Sequence, residues 1–217
     1  DSFRASISPI FLYDSYAESH NNIFNALTDQ GKPEEASAAY NKALLINPDY
    51  AKAHYNLGVT LQELGRLEEA EASYRQAIAL KPDYATAHYN LGSTLQVLDR
   101  LDEAEASYRQ AIAIRPGYAE AHNNLGATLQ ELGRPAEVEA SYRQAIALKP
   151  DYAEAHYYLG LFLRELEKLD EAEASYRQAI TLKSDYAAAY SNLGNTLQEL
   201  GKLNGAEASF RQTIALK

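Results

Sequence analysis

The sequence contains no cysteine and no methionine, and it has no long apolar run. Without cysteine there is no disulfide framework and no thiolate metal site, so the redox compartment leaves no mark on the chain. No stretch approaches the roughly 20 apolar residues that a membrane-spanning helix needs, which predicts no membrane insertion. Positive charge is scarce: 20 Lys and Arg stand against 30 Asp and Glu, a formal charge of −10. A general nucleic-acid binder needs a basic footprint, so that class is set aside. Methionine is missing even at position 1, and the expectation is an excerpt or a processed product. No signal peptide is visible. The compartment stays unassigned, with the cytoplasm favoured. Glycine-rich phosphate loops, nucleophile motifs and isolated acid pairs are also missing, so no catalytic residue and no cofactor is nominated.

What is present is a repeat. Asp49–Pro82, DYAKAHYNLGVTLQELGRLEEAEASYRQAIALKP, is followed by Asp83–Pro116 with only seven changes. The same 34-residue frame covers 15–48, 117–150, 151–184 and, one residue short, 185–217. Six copies fill everything except residues 1–14, and a period of this size signals a solenoid. Their near-identity suggests a bacterial array from recent duplication.

Each copy reads as two helices. Ala53, Leu57, Leu61 and Leu64 recur at three- and four-residue steps, an amphipathic stripe. Asp49, after Pro48, is the expected N-cap, and Gly65 the left-handed terminator. A second helix runs from Leu67, with Ala70, Tyr74, Ala77 and Ile78 inward, until Pro82 stops it. Gly58, Ala70 and Ala77 allow close approach while Tyr74 fills the space between the helices. Pro33 and Pro135 fall at the starts of second helices, where a missing N–H is harmless.

Gly58, Ala70, Tyr74, Ala77 and Pro82 at these spacings resemble the signature of the tetratricopeptide repeat, over about nine-tenths of the chain. The resemblance implies an all-α, right-handed superhelical solenoid of six helix-turn-helix repeats. His54 departs from the aromatic that the family places there. Residues 1–14 belong to no copy and read as a cap or a docking segment. The first copy diverges, with Ile23 for leucine and Phe24 for glycine, as terminal repeats do.

Two recurrent polar patterns have plain explanations. Glu71/Arg75, Glu105/Arg109, Glu139/Arg143, Glu173/Arg177 and Glu207/Arg211 are i,i+4 pairs, each contributing about 0.2–0.5 kcal/mol on an exposed helix. They read as a self-neutralised face rather than a phosphate track. His20, His54, His88, His122 and His156 share one column with Tyr190. A whole hairpin separates neighbours in that column, too far for shared ligand bonds near 2 Å. A ring with one satisfied hydrogen bond at the seam is expected, and no metal is assigned.

The next column carries the functional reading. Asn22, Asn56, Asn90, Asn124 and Asn192 align, interrupted by Tyr158. Lys52, Asn56, Val59 and Glu63 share a face distinct from the Leu57/Leu61 stripe, flanked by Tyr55 and Gln62. Gln96 and Gln130 repeat Gln62, and Tyr89 and Tyr157 repeat Tyr55. Between the second and third copies the asparagine stays while Lys52, Val59 and Glu63 become Thr86, Ser93 and Val97. A carboxamide offers donor and acceptor and can pair with a peptide bond of any sequence. In tetratricopeptide repeats this face lines the concave groove. The column is similar to the asparagine ladder in the arm of O-linked N-acetylglucosamine transferases. The alternative is that each asparagine only fixes a neighbouring helix. Lys52 and Arg164 are the only cations in these columns, against eight acids: Glu18, Asp29, Glu63, Glu120, Glu131, Glu154, Glu165 and Glu199. A neutral or basic extended segment therefore suits the field. The fifth copy departs from the pattern with Tyr158, Leu161, Phe162 and Arg164, a side-chain pocket or a contact with a second chain.

Three functions stay open at this point. The favoured one is a scaffold that binds an extended peptide or protein segment in its groove. The others are the substrate-recruiting arm of a larger enzyme, and a structural element that self-associates through uncapped ends or residues 1–14.

Overall fold

The computed structural model of the chain describes residues 31–216. Residues 1–14, His20, Asn22, Ile23 and Phe24 lie outside that range. The described residues form eleven helices and no strand: α1 Pro33–Ile46, α2 Ala51–Glu63, α3 Leu67–Leu80, α4 Ala85–Val97, α5 Leu101–Ile114, α6 Ala119–Glu131, α7 Pro135–Leu148, α8 Ala153–Glu165, α9 Leu169–Leu182, α10 Ala187–Glu199 and α11 Leu203–Ala215. None is long and apolar enough to cross a membrane.

The chain divides into two compact units, Asp1–Ile114 and Arg115–Lys217. In the first, α1 to α5 pack consecutively, with α2 also touching α4. In the second, α6/α7, α8/α9 and α10/α11 are the tight hairpins, and α8 touches α10. The result is an all-α solenoid of stacked helix-turn-helix repeats. Each hairpin leaves an apolar flank that its neighbour covers.

The hairpin closes on one contact. A Cβ placed on Gly58 would lie 2.6 Å from the Tyr74 ring, and the same holds for Gly92 with Tyr108 (2.8 Å), Gly126 with Tyr142 (2.9 Å), Gly160 with Tyr176 (2.8 Å) and Gly194 with Phe210 (2.6 Å). Only a glycine lets the ring lie flat against the facing backbone. Tyr74, Tyr108, Tyr142 and Tyr176 are fully buried, as are Ala70 and Ala77 beneath them.

The turn inside each hairpin meets the sequence expectation with two exceptions. Gly65, Gly133 and Gly201 have φ of 72°, 67° and 72°. The N–H of Arg66 reaches the Leu61 carbonyl at 2.8 Å and that of Gly65 reaches Gln62 at 3.0 Å, closing the helix end. Asp99 and Glu167 occupy the same place at φ 59°, a conformation that costs a side-chain-bearing residue about 1–2 kcal/mol. Pro33 and Pro135 are each the first residue of a helix. Asp49, by contrast, is not the N-cap of α2. Tyr50 holds that position with no side-chain cap. Its carbonyl takes the N–H groups of Ala53 and His54, while the Asp49 N–H is bonded by Asn47. The same tyrosine N-cap occurs at Tyr186, where the preceding copy ends in Ser184 rather than proline.

The histidine column seals the seam between copies. The Nε2 of His54 donates to the Pro48 carbonyl at 2.9 Å, and His88, His122 and His156 do the same to Pro82, Pro116 and Pro150. Each imidazole thus satisfies the last carbonyl before its own copy begins.

All five Glu/Arg pairs form, at 2.6–2.9 Å. They do more than coat a surface. Glu71 also receives Arg100, 29 residues on, while Arg75 reaches Glu103. Lys168 and Glu171 repeat this around Glu139 and Arg143, and Lys202 pairs with Glu173 at 2.7 Å. The seam makes the glutamate nearly inaccessible: the Glu71 and Glu173 side chains are 13 % exposed, against 62 % for Glu207.

Two tests follow from this packing. Gly126→Ala removes a helix glycine, worth about 1 kcal/mol on propensity alone. The clash with Tyr142 outweighs that gain, so urea unfolding is expected to show a net loss of about 1–2 kcal/mol. The Lys202 ammonium, with help from Arg177, holds the Glu173 carboxyl below the usual carboxylate range. A depressed carboxyl stabilises the fold above its ordinary pKa near ~4.3, and that contribution is lost as pH falls through the folded value. Lys202→Gln should therefore melt below the native chain at pH 7, and the two melting temperatures should converge in acid.

Candidate functional site

The first-helix face expected to bind a ligand is built the same way in both units. On α2, Lys52 and Glu63 are exposed, while Tyr55, Asn56, Val59 and Gln62 are half-buried. On α4, Tyr89, Asn90 and Gln96 take the equivalent half-buried places. The second unit groups Asn124 and Gln130 on α6, Tyr157, Tyr158 and Arg164 on α8, and Asn192 on α10. Asn22 lies outside the described residues.

The asparagines bridge copies. Asn90 Nδ2 donates to the Tyr55 hydroxyl at 3.2 Å, and Asn192 Nδ2 donates to Tyr157 at 3.2 Å and to the Ala188 carbonyl at 3.0 Å. Asn56 is paired with the hydroxyl of Tyr40, and Asn90 with that of Tyr74. The donors of Asn90 and Asn192 are thus engaged within the protein. What those two offer a ligand is the carboxamide oxygen, not the two-sided pairing that the bare sequence suggests. Asn124 accepts from Asn123 at 3.2 Å.

Beneath the asparagines runs a chain of phenols. Tyr55 sits between Tyr84, 4.9 Å between centroids, and Tyr74, 6.0 Å away. Tyr157 sits likewise between Tyr186 at 4.9 Å and Tyr176 at 6.1 Å. Sequence reasoning passed over Tyr84 and Tyr186, although tyrosine is the second residue of all six copies. Lys81 and Lys183 lie 5.1 and 4.8 Å from these two ring centroids, within cation–π range. Burial, aided by Tyr55, pushes the Tyr84 hydroxyl up to about 12. Burial likewise holds Tyr74 well above the ordinary tyrosine value, so these phenols remain donors.

The glutamine column supplies their acceptors. Tyr74 donates to Gln62 at 2.9 Å and Tyr108 to Gln96 at 3.1 Å. Thr94 also reaches Gln62, at 3.4 Å. In the fifth copy Arg164 replaces the glutamine, cannot accept, and turns to Glu199 at 2.8 Å. The buried Tyr176 hydroxyl is left without a partner among the described residues, as is Asn123 Oδ1. Phe162 is buried where other copies have threonine, so it is core rather than groove. Tyr158, 36 % exposed, stacks on Tyr142 at 6.1 Å and meets Tyr157 edge-on at 5.3 Å. Leu161 is half-buried beside it. The acids are spread along the same face: Gln130 is drawn to Glu165 at 2.8 Å, and Lys149 to Glu120 at 3.1 Å.

No group of histidines or carboxylates suited to a metal ion occurs among the described residues. Repeated hairpins that bury their apolar flanks on one another define a helical repeat protein. Models of the family described as TPR repeat match residues 25–65, 60–99, 140–164 and 162–201, and models described as tetratricopeptide repeat match 83–151 and 187–217. The chain belongs to the tetratricopeptide repeat family. Such repeats are typically non-catalytic interaction modules. Among curated proteins no sequence matches it. Solved structures do. MamA is 26 % identical, over 76 % of this chain and 97 % of its own, with a TM-score of 0.71. YrrB, described as a TPR protein with an unusual peptide-binding site, is 25 % identical over 83 % and 93 %, with a TM-score of 0.68. PilF of Pseudomonas aeruginosa, at 20 % identity over 94 % and 93 %, shares the fold with a TM-score of 0.84.

The orphaned Tyr176 hydroxyl gives a test. An unpaired buried hydroxyl costs about 1–3 kcal/mol, whereas an exposed pair such as Arg164–Glu199 contributes about 0–1 kcal/mol. Arg164→Gln should raise stability by about 1 kcal/mol in denaturant unfolding, and Arg164→Leu, which supplies no acceptor, should not.

Proposed function

We propose that the chain is a scaffold that holds an extended, neutral or basic peptide segment along the first-helix face of its repeats. The observation that carries this reading is the pairing of an asparagine, present in five of the six copies, with variable neighbours on a face that is half-buried where it is described. Inward hydrogen bonds to Tyr55 and Tyr157 fix the carboxamides of Asn90 and Asn192, so their oxygens are pre-oriented acceptors for ligand N–H groups. Preorganisation of this kind lowers the ordering cost of binding. Lys52, Val59 and Glu63, with their counterparts on α4, stand beside the acceptors and would set side-chain preference. Tyr55, Tyr89, Tyr157 and Tyr158 supply aromatic contact area. The peptide-binding site named for YrrB supports the class of ligand, and the acidic balance of the face supports its charge.

The test compares the native chain with an Asn56→Ala/Asn90→Ala variant and a Lys52→Ala/Glu63→Ala variant on an array of extended peptides. Helicity and melting are recorded first, because the asparagines also join copies. The asparagine variant is expected to lose captured peptides regardless of sequence, while the second variant changes which peptides are captured. Identical capture by all three chains would refute the groove reading.

A further inference from the structure

Another face of the repeats departs from the common pattern at Gly205. In the other copies this position is glutamate: Glu69, Glu103, Glu137 and Glu171. Glu103 reaches back to Arg75 of the preceding copy at 2.9 Å, and Glu171 reaches Arg143 at 2.9 Å. Arg177 is the next arginine in that series, and Gly205 offers it nothing. Its partner among the described residues is Glu173, on its own helix, which Lys202 also neutralises.

The loss opens space. The crevice beside Arg75, walled by Ile78 and Leu91, measures about 300 Å³, and that beside Arg143 about 390 Å³. Beside Arg177 the crevice is about 510 Å³. Two further departures fall on its walls. Tyr190 stands in the histidine column, and its hydroxyl makes no hydrogen bond among the described residues. Thr181 replaces the alanine found at 79, 113 and 147. Ile180, Leu193 and Leu197 supply an apolar wall. Gly205, in the first turn of α11, lines this crevice, and a Cβ there would lie 3.2 Å from the Leu197 side chain that forms part of its wall.

We propose that this crevice receives the carboxylate side chain of a glutamate or aspartate from a partner protein. The incoming carboxylate takes the place that Glu103 and Glu171 occupy on Arg75 and Arg143. Its methylene stem lies against Ile180 and Leu193, and the Tyr190 hydroxyl is a second donor. The Arg177 side chain is 59 % exposed, compared with 49 % and 52 % for Arg75 and Arg143. It is also paired with one carboxylate where Arg75 and Arg143 are each paired with two, while Lys202 is shared between Glu173 and Asp170. A charge-assisted pair to arginine is among the stronger hydrogen-bond types available. The site is independent of the groove, since Tyr190 and Asn192 lie on different faces of α10.

The experiment titrates N-acetyl-glutamate N-methylamide into the full chain and follows arginine Nε–Hε signals by NMR, with the glutamine counterpart as control. The Arg177 signal is expected to move saturably with the glutamate probe alone, while Arg75 and Arg143 stay still. Gly205→Glu rebuilds the carboxylate inside the chain and is expected to abolish the response at Arg177 without lowering the melting temperature. Should that variant fold poorly, Arg177→Gln read at the Tyr190 ring replaces it, with loss of the shift expected there too. Equal movement at all three arginines, an unchanged response in the variants, or no saturable shift at Arg177 would each overturn the proposal.

Discussion

A tyrosine ring lying on a glycine backbone sets the geometry from which every other feature of the repeat derives. With Gly58 facing Tyr74 the two helices of a hairpin approach closely enough for Ala70 and Ala77 to be buried completely. The ring's hydroxyl then emerges on the far side of the contact, under the first-helix face, where it needs an acceptor. Gln62 provides one, and Asn90 of the next copy completes the junction. The core contact therefore dictates which polar residues stand on the candidate binding face. Arg164 breaks that sequence of requirements, and the consequence appears directly below it as an unpartnered Tyr176 hydroxyl.

The frame of the fold was legible because period, glycine, tyrosine and proline agree over 34 residues. Helix α3 begins at Leu67 and ends before Pro82 as the pattern requires. Asp49 misled because capping propensity is a local rule, while in every described copy the tyrosine one residue later takes the N-cap position without a side-chain cap. The site was legible as a face and less so as chemistry. Asparagine at 90 and 192 is readable in sequence, but the commitment of its donors to tyrosines 35 residues earlier depends on how copies stack. The Glu/Arg pairs show the same limit. Their i,i+4 spacing is visible, whereas the links from Arg100 to Glu71 and from Arg75 to Glu103 cross between copies.

In a repeat protein the copies serve as controls for one another, and this changes how a departure is interpreted. A lone exposed arginine beside a cleft carries little information in an ordinary domain. Here Arg75 and Arg143 show what the same arginine does when its glutamate is present, so the effect of glycine at 205 can be read by subtraction. The same logic separates Phe162 from Tyr158 in the fifth copy. Phe162 takes a buried position that threonine fills elsewhere, a change of core packing. Tyr158 takes an asparagine position and stays exposed against Tyr142 and Tyr157, a change of surface. Neighbouring copies constrain the inward-facing residues and, through ion pairs such as Arg75–Glu103 and Arg143–Glu171, part of the outer surface. Positions that take part in neither are free to vary, as Lys52, Val59 and Glu63 do when they become Thr86, Ser93 and Val97 in the next copy.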